Sequence, residues 1–449
     1  MLQGEMMDYK KKILLVNEAS PLRTGFSNYG YNILKRLYAT NKYEITEFAS
    51  YLSQNDPRWR TARPDIKWRY IGNLPKLIRN SEGKIVEDPE EAKIYYKDYK
   101  YNQFGKWKFD SVVNSFRPDI VLALRDRWMD YWELESPFRK YFIHVWMPTA
   151  DCANQNPSWL EDYGKVAHLF AWSQFGKTTL EVESGRKLKV VDVMGGGIDL
   201  NIFKPVANKV EHGTKNWNLR PDLRIIGGAW RNQSRKLIPE LFEGFAIFRK
   251  KYVDLADKTI LLCHTSMPDV GWDLGILIRR YNLLKHVLFT NVCRACNMVF
   301  FTFYQGEKSV CVRCGKKEGA FPNTAQGVTD EQMASIYNVL DWYIQVSNSE
   351  GLGIPVIEAK ACGIPALGTD YASVSELVTW EEGGMPIKIA AYYTEKETCA
   401  KRACPDIQDI ADKIAEAIRM MGTPKYNEIR QNALNSVSKY DYDNIAKRW

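Results

Sequence analysis

Residues 342–369 read "WYIQVSNSEGLGIPVIEAKACGIPALGT", and the way this stretch folds decides the rest of the chain. WYIQVS is a short apolar run rich in strand formers, so it reads as a buried strand. NSEGLG is then the loop at its carboxyl end. Pro355 suits the first turn of a helix, where its missing N–H costs nothing. Glu350 therefore lies in the loop, and Glu358 lies about one turn into the helix. The exposed N–H groups of Gly351, Leu352 and Gly353 can bind an anion, helped by the helix dipole. Glycine lets a ligand approach the backbone closely. A carboxylate on each side accepts hydrogen bonds from hydroxyls, and a polyol joined to a phosphate describes a nucleotide sugar. The plainer alternative is an N-capping acid on an ordinary surface helix.

The same alternation extends outward in both directions. KILLVNEA (12–19), DIVLAL (119–124), YFIHVW (141–146), HLFAWS (168–173) and KVVDVM (189–194) are strand-like, with helical patterns between them. After Pro205 the rhythm restarts with LRIIGGAW (223–230), TILLCH (259–264), HVLFTN (286–291), WYIQVS and IPALGT. Continuous apolar strands alternating with amphipathic helices predict parallel sheets covered on both faces. Right-handed crossovers make them two doubly wound, Rossmann-like α/β domains facing a cleft. The expected first domain is 1–205, joined by a C-terminal helix at about 430–449. The expected second domain is 206–429. A polar stretch near 201–222 divides them.

A chain of 449 residues is too long for one ordinary core, so two domains are expected on length as well. Hydrophobic residues make up 45% and charged residues 26%, in the range of soluble globular proteins. No apolar run approaches the ~20 residues of a membrane span, and the N-terminal apolar run is too short for a signal peptide. A cytoplasmic protein is expected. The net charge of +8 suits an anionic substrate, a nucleic acid or a membrane surface without choosing among them.

Residues 347–378, "SNSEGLGIPVIEAKACGIPALGTDYASVSELV", resemble the E-x7-E donor motif of the retaining glycosyltransferases of family 4, which have the GT-B fold. The resemblance continues in "AHLFAWSQFGKTTLEVESGRKLKVVDVMGGGIDLNIFKP" (167–205), "GGAWRNQSRKLIPELFEGF" (227–245) and "VTDEQMASIYNVLDWYIQVSNSEG" (328–351). It does not cover about 50–110 or 291–322. It implies that Arg231 and Lys236 hold the diphosphate, that Glu358 binds the ribose hydroxyls, and that Glu350 faces the donor sugar beside Gly351, Leu352 and Gly353. Fixed cations are what a departing nucleoside diphosphate needs. Gly25, in "RTGFSNYG", matches the first domain's glycine loop, although the family often shows two adjacent glycines there. His144 falls where family members place a histidine near the donor sugar. Asp126 and Asp151 lie at or after strand ends, suited to acceptor or sugar hydroxyls and equally to helix caps. The implied chemistry retains configuration and needs orientation and electrostatics more than a protein nucleophile. The donor would be a UDP- or GDP-sugar. No Asp-x-Asp triplet with a clear metal role appears, so no catalytic metal is expected.

Two stretches depart from the family pattern. "CRACNMVFFTFYQGEKSVCVRCG" places Cys293, Cys296, Cys311 and Cys314 in a C-x2-C-x14-C-x2-C spacing. Such paired knuckles predict a zinc-ribbon insertion over 291–322 holding one structural Zn²⁺. Four sulfur ligands leave no open position for catalysis. Cys152, Cys263, Cys362, Cys399 and Cys404 have no evident pairing. The second departure, 57–110, interleaves Arg and Lys with Trp and Tyr. It is expected to be the acceptor element, suited to a nucleic-acid backbone, to sugar stacking or to peripheral contact with an anionic lipid surface, or else to be a solvated face over a local aromatic core. The leading expectation is transfer to a hydroxyl of a glycan, lipid or small molecule. The alternatives are transfer to hydroxymethylated DNA bases, and a nucleic-acid-binding module on an inactive transferase scaffold.

Overall fold

The computed structural model describes residues 9–22, 24–323 and 326–449. Arg23, within the quoted glycine stretch, lies outside them. The first sheet is seven-stranded and parallel, in the order Arg69–Leu74, Tyr43–Ser53, Lys11–Glu18, Ile120–Ala123, Ile143–Trp146, His168–Ala171, Val190–Val193. The strands read as apolar runs because helices cover both faces. Thr24, Asn156 and Ser173 start three of those helices, their side chains accepting from Ser27, Ser158 and Gly176 N–H groups.

The stretch expected as an insert from about residue 50 is in part sheet. Tyr43–Ser53 and Arg69–Leu74 extend the sheet beyond Lys11–Glu18. Glu47 hides the first of these in the sequence, since a carboxylate interrupts its apolar run. It is fully buried, and Trp68 Nε1 (2.9 Å) and Ser20 N (2.7 Å) donate to it. Much of the aromatic content nearby is core rather than a stacking surface. Trp59 and Trp68 are buried, and Trp59 stacks on Tyr70 at 4.1 Å.

The second sheet has eight strands. Its path runs Val299–Phe303, Val287–Cys293, Thr259–His264, Arg224–Ala229, Trp342–Gln345, Ala366–Thr369, Gly384–Ile387, and Gly319–Ala320 also pairs with Val287–Cys293. The pairings are parallel except where the cysteine segment adds its two strands antiparallel. Within this segment Val299–Phe303 pairs with Val287–Cys293, and Ser309 bridges to Gly319. A further antiparallel pair, Ile389–Thr394 with Lys401–Pro405, follows the last parallel strand.

The chain ends by crossing back. Ile198 N donates to Tyr440 O at 2.8 Å, and the helix Tyr442–Arg448 packs on Gly25–Ala39. Trp449 Nε1 donates to Tyr29 Oη at 3.0 Å. Gly197 is required at this crossing, because a Cβ there would lie 2.0 Å from Tyr442 Cε1. Among the described residues, no helix is long and apolar enough to cross a membrane.

Candidate donor site between the two sheets

The strand Trp342–Gln345 delivers its loop to the cleft, and the helix Ile354–Ala361 starts at Gly353, whose φ of 88° needs glycine. Pro355 sits in the first turn. The loop presses on the first half of the molecule. A Cβ on Gly351 would lie 2.4 Å from Thr149 Cγ2, and one on Gly196 would lie 2.4 Å from Leu352 Cδ2. A Cβ on Gly25 would meet Ile354 Cδ1 at 3.8 Å, so the glycine start of the first helix faces the start of this one. Leu352 is itself buried in the shared core.

Glu350 is 5% exposed and heavily partnered. Arg235 Nη1 donates to its Oε2 at 2.8 Å, Gln345 Nε2 to its Oε1 at 2.9 Å, and Lys236 Nζ also to Oε1. Burial alone would raise this carboxyl, but the two cations hold it down at about 2. Burial draws Lys236 down to about 8 despite its partner. Lys236 and Glu350, each expected to face the donor separately, are thus bonded to one another. Arg235 escaped notice in the sequence. Its neighbour Lys236 matched the motif, and only the tight turn Ser234–Lys236 shows that both side chains reach the same carboxylate. Arg231 lies apart from them, half exposed and paired with Asp269 at 3.0 Å.

Glu358 is partly exposed and accepts from Tyr337 Oη at 2.8 Å. Burial of its carboxyl pushes it up to about 7. Tyr337 ends the helix Asp330–Tyr337, which starts in a capping box of Thr329 and Gln332.

Asp126 and Asp151 lie together on a recess of about 130 Å³ that also touches Thr149, Gln155, Trp128 and Arg402. Asp126 precedes a helical turn but makes no capping bond, and its Oδ1 has no partner among the described residues. Asp151 accepts from Arg402 Nη1 at 2.9 Å and from Ser349 Oγ at 3.2 Å, which ties the first half to the glutamate loop.

His144 is a correction. It lies within its strand rather than past the strand end, is fully buried, and stacks on Trp146 at 5.7 Å. Its Nε2 is 2.8 Å from Glu133 Oε2, although the two are not aligned for a hydrogen bond. Burial pushes the Glu133 carboxyl up and the His144 ring down, which favours the neutral form of each. The alternation of the strand turns this ring into the core with Phe142 and Trp146.

The four thiols of the cysteine segment converge. Cys293 and Cys314 Sγ are 3.7 Å apart, Cys296 and Cys311 Sγ 3.6 Å, and all four lie within 4.8 Å of one another. A tetrahedral ion with ~2.3 Å metal–sulfur bonds has edges of about 3.8 Å, so the set fits a metal ion. The segment also braces the helix that reaches Glu358. Phe301 stacks on Trp217 at 4.2 Å, and Trp217 Nε1 donates at 3.1 Å to Ser335 Oγ, on the helix that carries Tyr337 to Glu358.

Comparison with known proteins agrees with this geometry. Residues 323–436, which include both glutamates, match the family described as glycosyl transferases group 1. The serotype-specific mannosyltransferase WbdA of Escherichia coli is 27% identical over 119 residues, covering 26% of this chain and 12% of WbdA. The chain thus spans about an eighth of that relative's length. Sucrose-phosphate synthase from Thermosynechococcus elongatus superposes with a TM-score of 0.66 at 16% identity, over 98% of this chain and 97% of that one. A glycosyltransferase from Rickettsia africae gives 0.62 at 15% identity, over 98% and 96%. Anabaena Alr3699/HepE, solved in complex with UDP and glucose, gives 0.60 at 15% identity, over 98% of each chain. These likenesses establish the fold. The protein has the GT-B architecture, and its residues 323–436 are similar to the group 1 glycosyl transferases.

Proposed function

We propose that the protein is a retaining glycosyltransferase that moves a hexose from a nucleotide-diphosphate sugar to an acceptor hydroxyl. The observation that carries this reading is the glutamate pair. Glu350 is clamped at a strand end by Lys236 and Arg235, and Glu358 is held one turn into the next helix, within the matched segment. In this reading Glu358 accepts from the ribose hydroxyls. The N–H groups of Gly351, Leu352 and Gly353 face the sugar and phosphate. Arg231, Arg235 and Lys236 stabilise the charge that grows on the departing diphosphate. The acceptor oxygen bonds to the anomeric carbon as the carbon–phosphate-oxygen bond breaks, and the acceptor proton passes to the diphosphate. Neighbours solved with UDP make a UDP-sugar the first donor to try, with GDP-sugars next. Cys293, Cys296, Cys311 and Cys314 would hold one structural Zn²⁺, which cross-links the segment bracing Trp217. A cytoplasmic location belongs to the same proposal.

The test is release of nucleoside diphosphate from a panel of UDP-, GDP-, ADP- and dTDP-sugars. The reading expects release with one donor by the wild type and at least ~100-fold less by Glu358→Ala, a loss of about 2.7 kcal/mol. Equal release by both proteins would sink it.

A further inference from the structure

The four thiols sit at one edge of the second sheet, whereas Glu350 follows Trp342–Gln345 near its middle. A short run of contacts nevertheless joins the thiols to Glu358. It starts in the edge strand Val299–Phe303, whose successive side chains face opposite ways. Phe300 packs among Met298 and the four cysteines on one face. Phe301 turns to the other face and stacks on Trp217, the ring planes 13° apart. Trp217 ends the helix Lys209–Trp217, which docks on Asp330–Tyr337 like a splint. His212 Nε2 is 2.9 Å from Ser335 O, and Trp217 Nε1 donates to Ser335 Oγ at 3.1 Å. At the other end of the splint Lys209 pairs with Asp341, just ahead of the strand that delivers Glu350. The splinted helix ends at Tyr337, which donates to Glu358.

The order of that first strand depends on the thiols. Cys293 and Cys296 form its near knuckle, closed by Cys293 N on Met298 O at 2.9 Å. Cys311 and Cys314 ride on a separate arm. That arm meets the sheet through the two-residue strand Gly319–Ala320, through Arg294 N on Glu318 O at 2.8 Å, and through Ser309 Oγ on Asn291 Oδ1 at 2.9 Å. The segment's own core is Phe300, Met298 and the cysteines, too small to order it without a cross-link. For such a segment the free energy of binding a metal is free energy of folding. With the thiols joined through one ion, both knuckles are fixed and Phe301 is pinned against Trp217. With the thiols parted, the arm is released from the strand, and the stack that positions Trp217 loses its support.

We infer that occupancy of the four-thiol site regulates nucleotide affinity, with Phe301 and Trp217 as the positioning residues that hold the helix of Tyr337 in place beside Glu358. The inference rests on the transferase reading above and adds a control to its donor site. None of these residues touches the nucleotide in that reading, so they act only through Ser335 and Tyr337. A coupling of this kind is reciprocal: whatever factor the metal adds to nucleotide affinity, bound nucleotide adds to metal affinity.

The experiment uses the full chain, zinc-loaded and stripped by a chelator, with UDP, GDP, ADP and dTDP as probes. Calorimetry reads nucleotide binding, a zinc-sensitive dye reads metal affinity, and circular dichroism verifies the fold. The stripped protein should bind its nucleotide at least about fivefold more weakly, and the nucleotide should tighten zinc by the same factor. Trp217→Leu leaves all four thiols in place. It should keep its zinc, lose the same nucleotide affinity, and show no further link between zinc and nucleotide. A purely structural role for the ion would leave that link intact in the variant. If stripping unfolds the protein, the variant decides alone: zinc bound with wild-type nucleotide affinity overturns the inference. Equal nucleotide affinity with and without zinc, or no zinc bound at all, overturns it too and leaves the donor reading standing. Failure of every nucleotide to bind the zinc-loaded wild type removes the transferase reading, and the coupling with it.

Discussion

Replacing Glu350 with Gln tests the centre of the site by stability alone, without knowledge of the substrate. In the intact protein, the cations take Glu350 from an ordinary value of 4.5 down to about 2. That difference contributes about 3 kcal/mol above pH 4.5, lost as pH falls through 2. Lys236 goes the other way, from 10.5 to about 8, which costs about 3 kcal/mol below pH 8 and is relieved as pH rises toward 10.5. Attraction and desolvation therefore oppose one another in this buried pair. Removing only the carboxylate breaks that balance. Lys236 would stay buried with no anion, whereas the Arg235 side chain is 41% exposed and can turn to water. Glu350→Gln should therefore cost about 3 kcal/mol at pH 7, toward the low end for a broken buried pair. Urea unfolding followed by tryptophan fluorescence measures it. The double variant Glu350→Gln/Lys236→Met should recover at least half of the loss. A single variant within ~0.5 kcal/mol of wild type, the ordinary range for surface changes, would refute the clamp. A double variant no better than the single would do the same.

Other outcomes follow from the same geometry. Glu358, raised to about 7 by burial, should make nucleotide affinity climb as pH rises through 7, since the charged carboxylate is the better acceptor for ribose hydroxyls. Calorimetry across pH 6–8 should show this in wild type, not in Glu358→Gln, and at higher pH in Tyr337→Phe, which removes a bond that favours the charged form. Metal analysis should find one zinc per chain, and Cys311→Ser should lose it and lower the melting temperature. Gly351→Ala should cost about 1–3 kcal/mol, because its new methyl meets Thr149 Cγ2 at 2.4 Å, and adding Thr149→Ser should restore most of that.

The βαβ rhythm, the glutamate spacing and the cysteine knuckles were legible because each depends on local order. A buried parallel strand must be apolar throughout, a glycine loop must precede its helix, and two thiols on one knuckle must have two residues between them. The misreadings have the opposite character. Tyr43–Ser53 was missed because Glu47 breaks its apolar run, and only Trp68 and Ser20, brought in by the fold, make that carboxylate tolerable inside. His144 looked like a cleft residue because it follows apolar residues, but the pleat sends its ring into the core against Glu133. Arg235 was invisible because its partner is distant in sequence, in the loop that follows the neighbouring strand Trp342–Gln345.

The sequence alone determined the layers, the order of most strands along the chain, the position of the donor loop and the thiol cluster. These follow from periodicity and spacing, which act over a few residues. The tertiary structure decided which charges meet, which aromatic rings are buried, and where a recess opens between Asp126 and the Ile389–Pro405 hairpin. Those outcomes depend on residues hundreds of positions apart arriving at one place, and no local pattern encodes the distance between them.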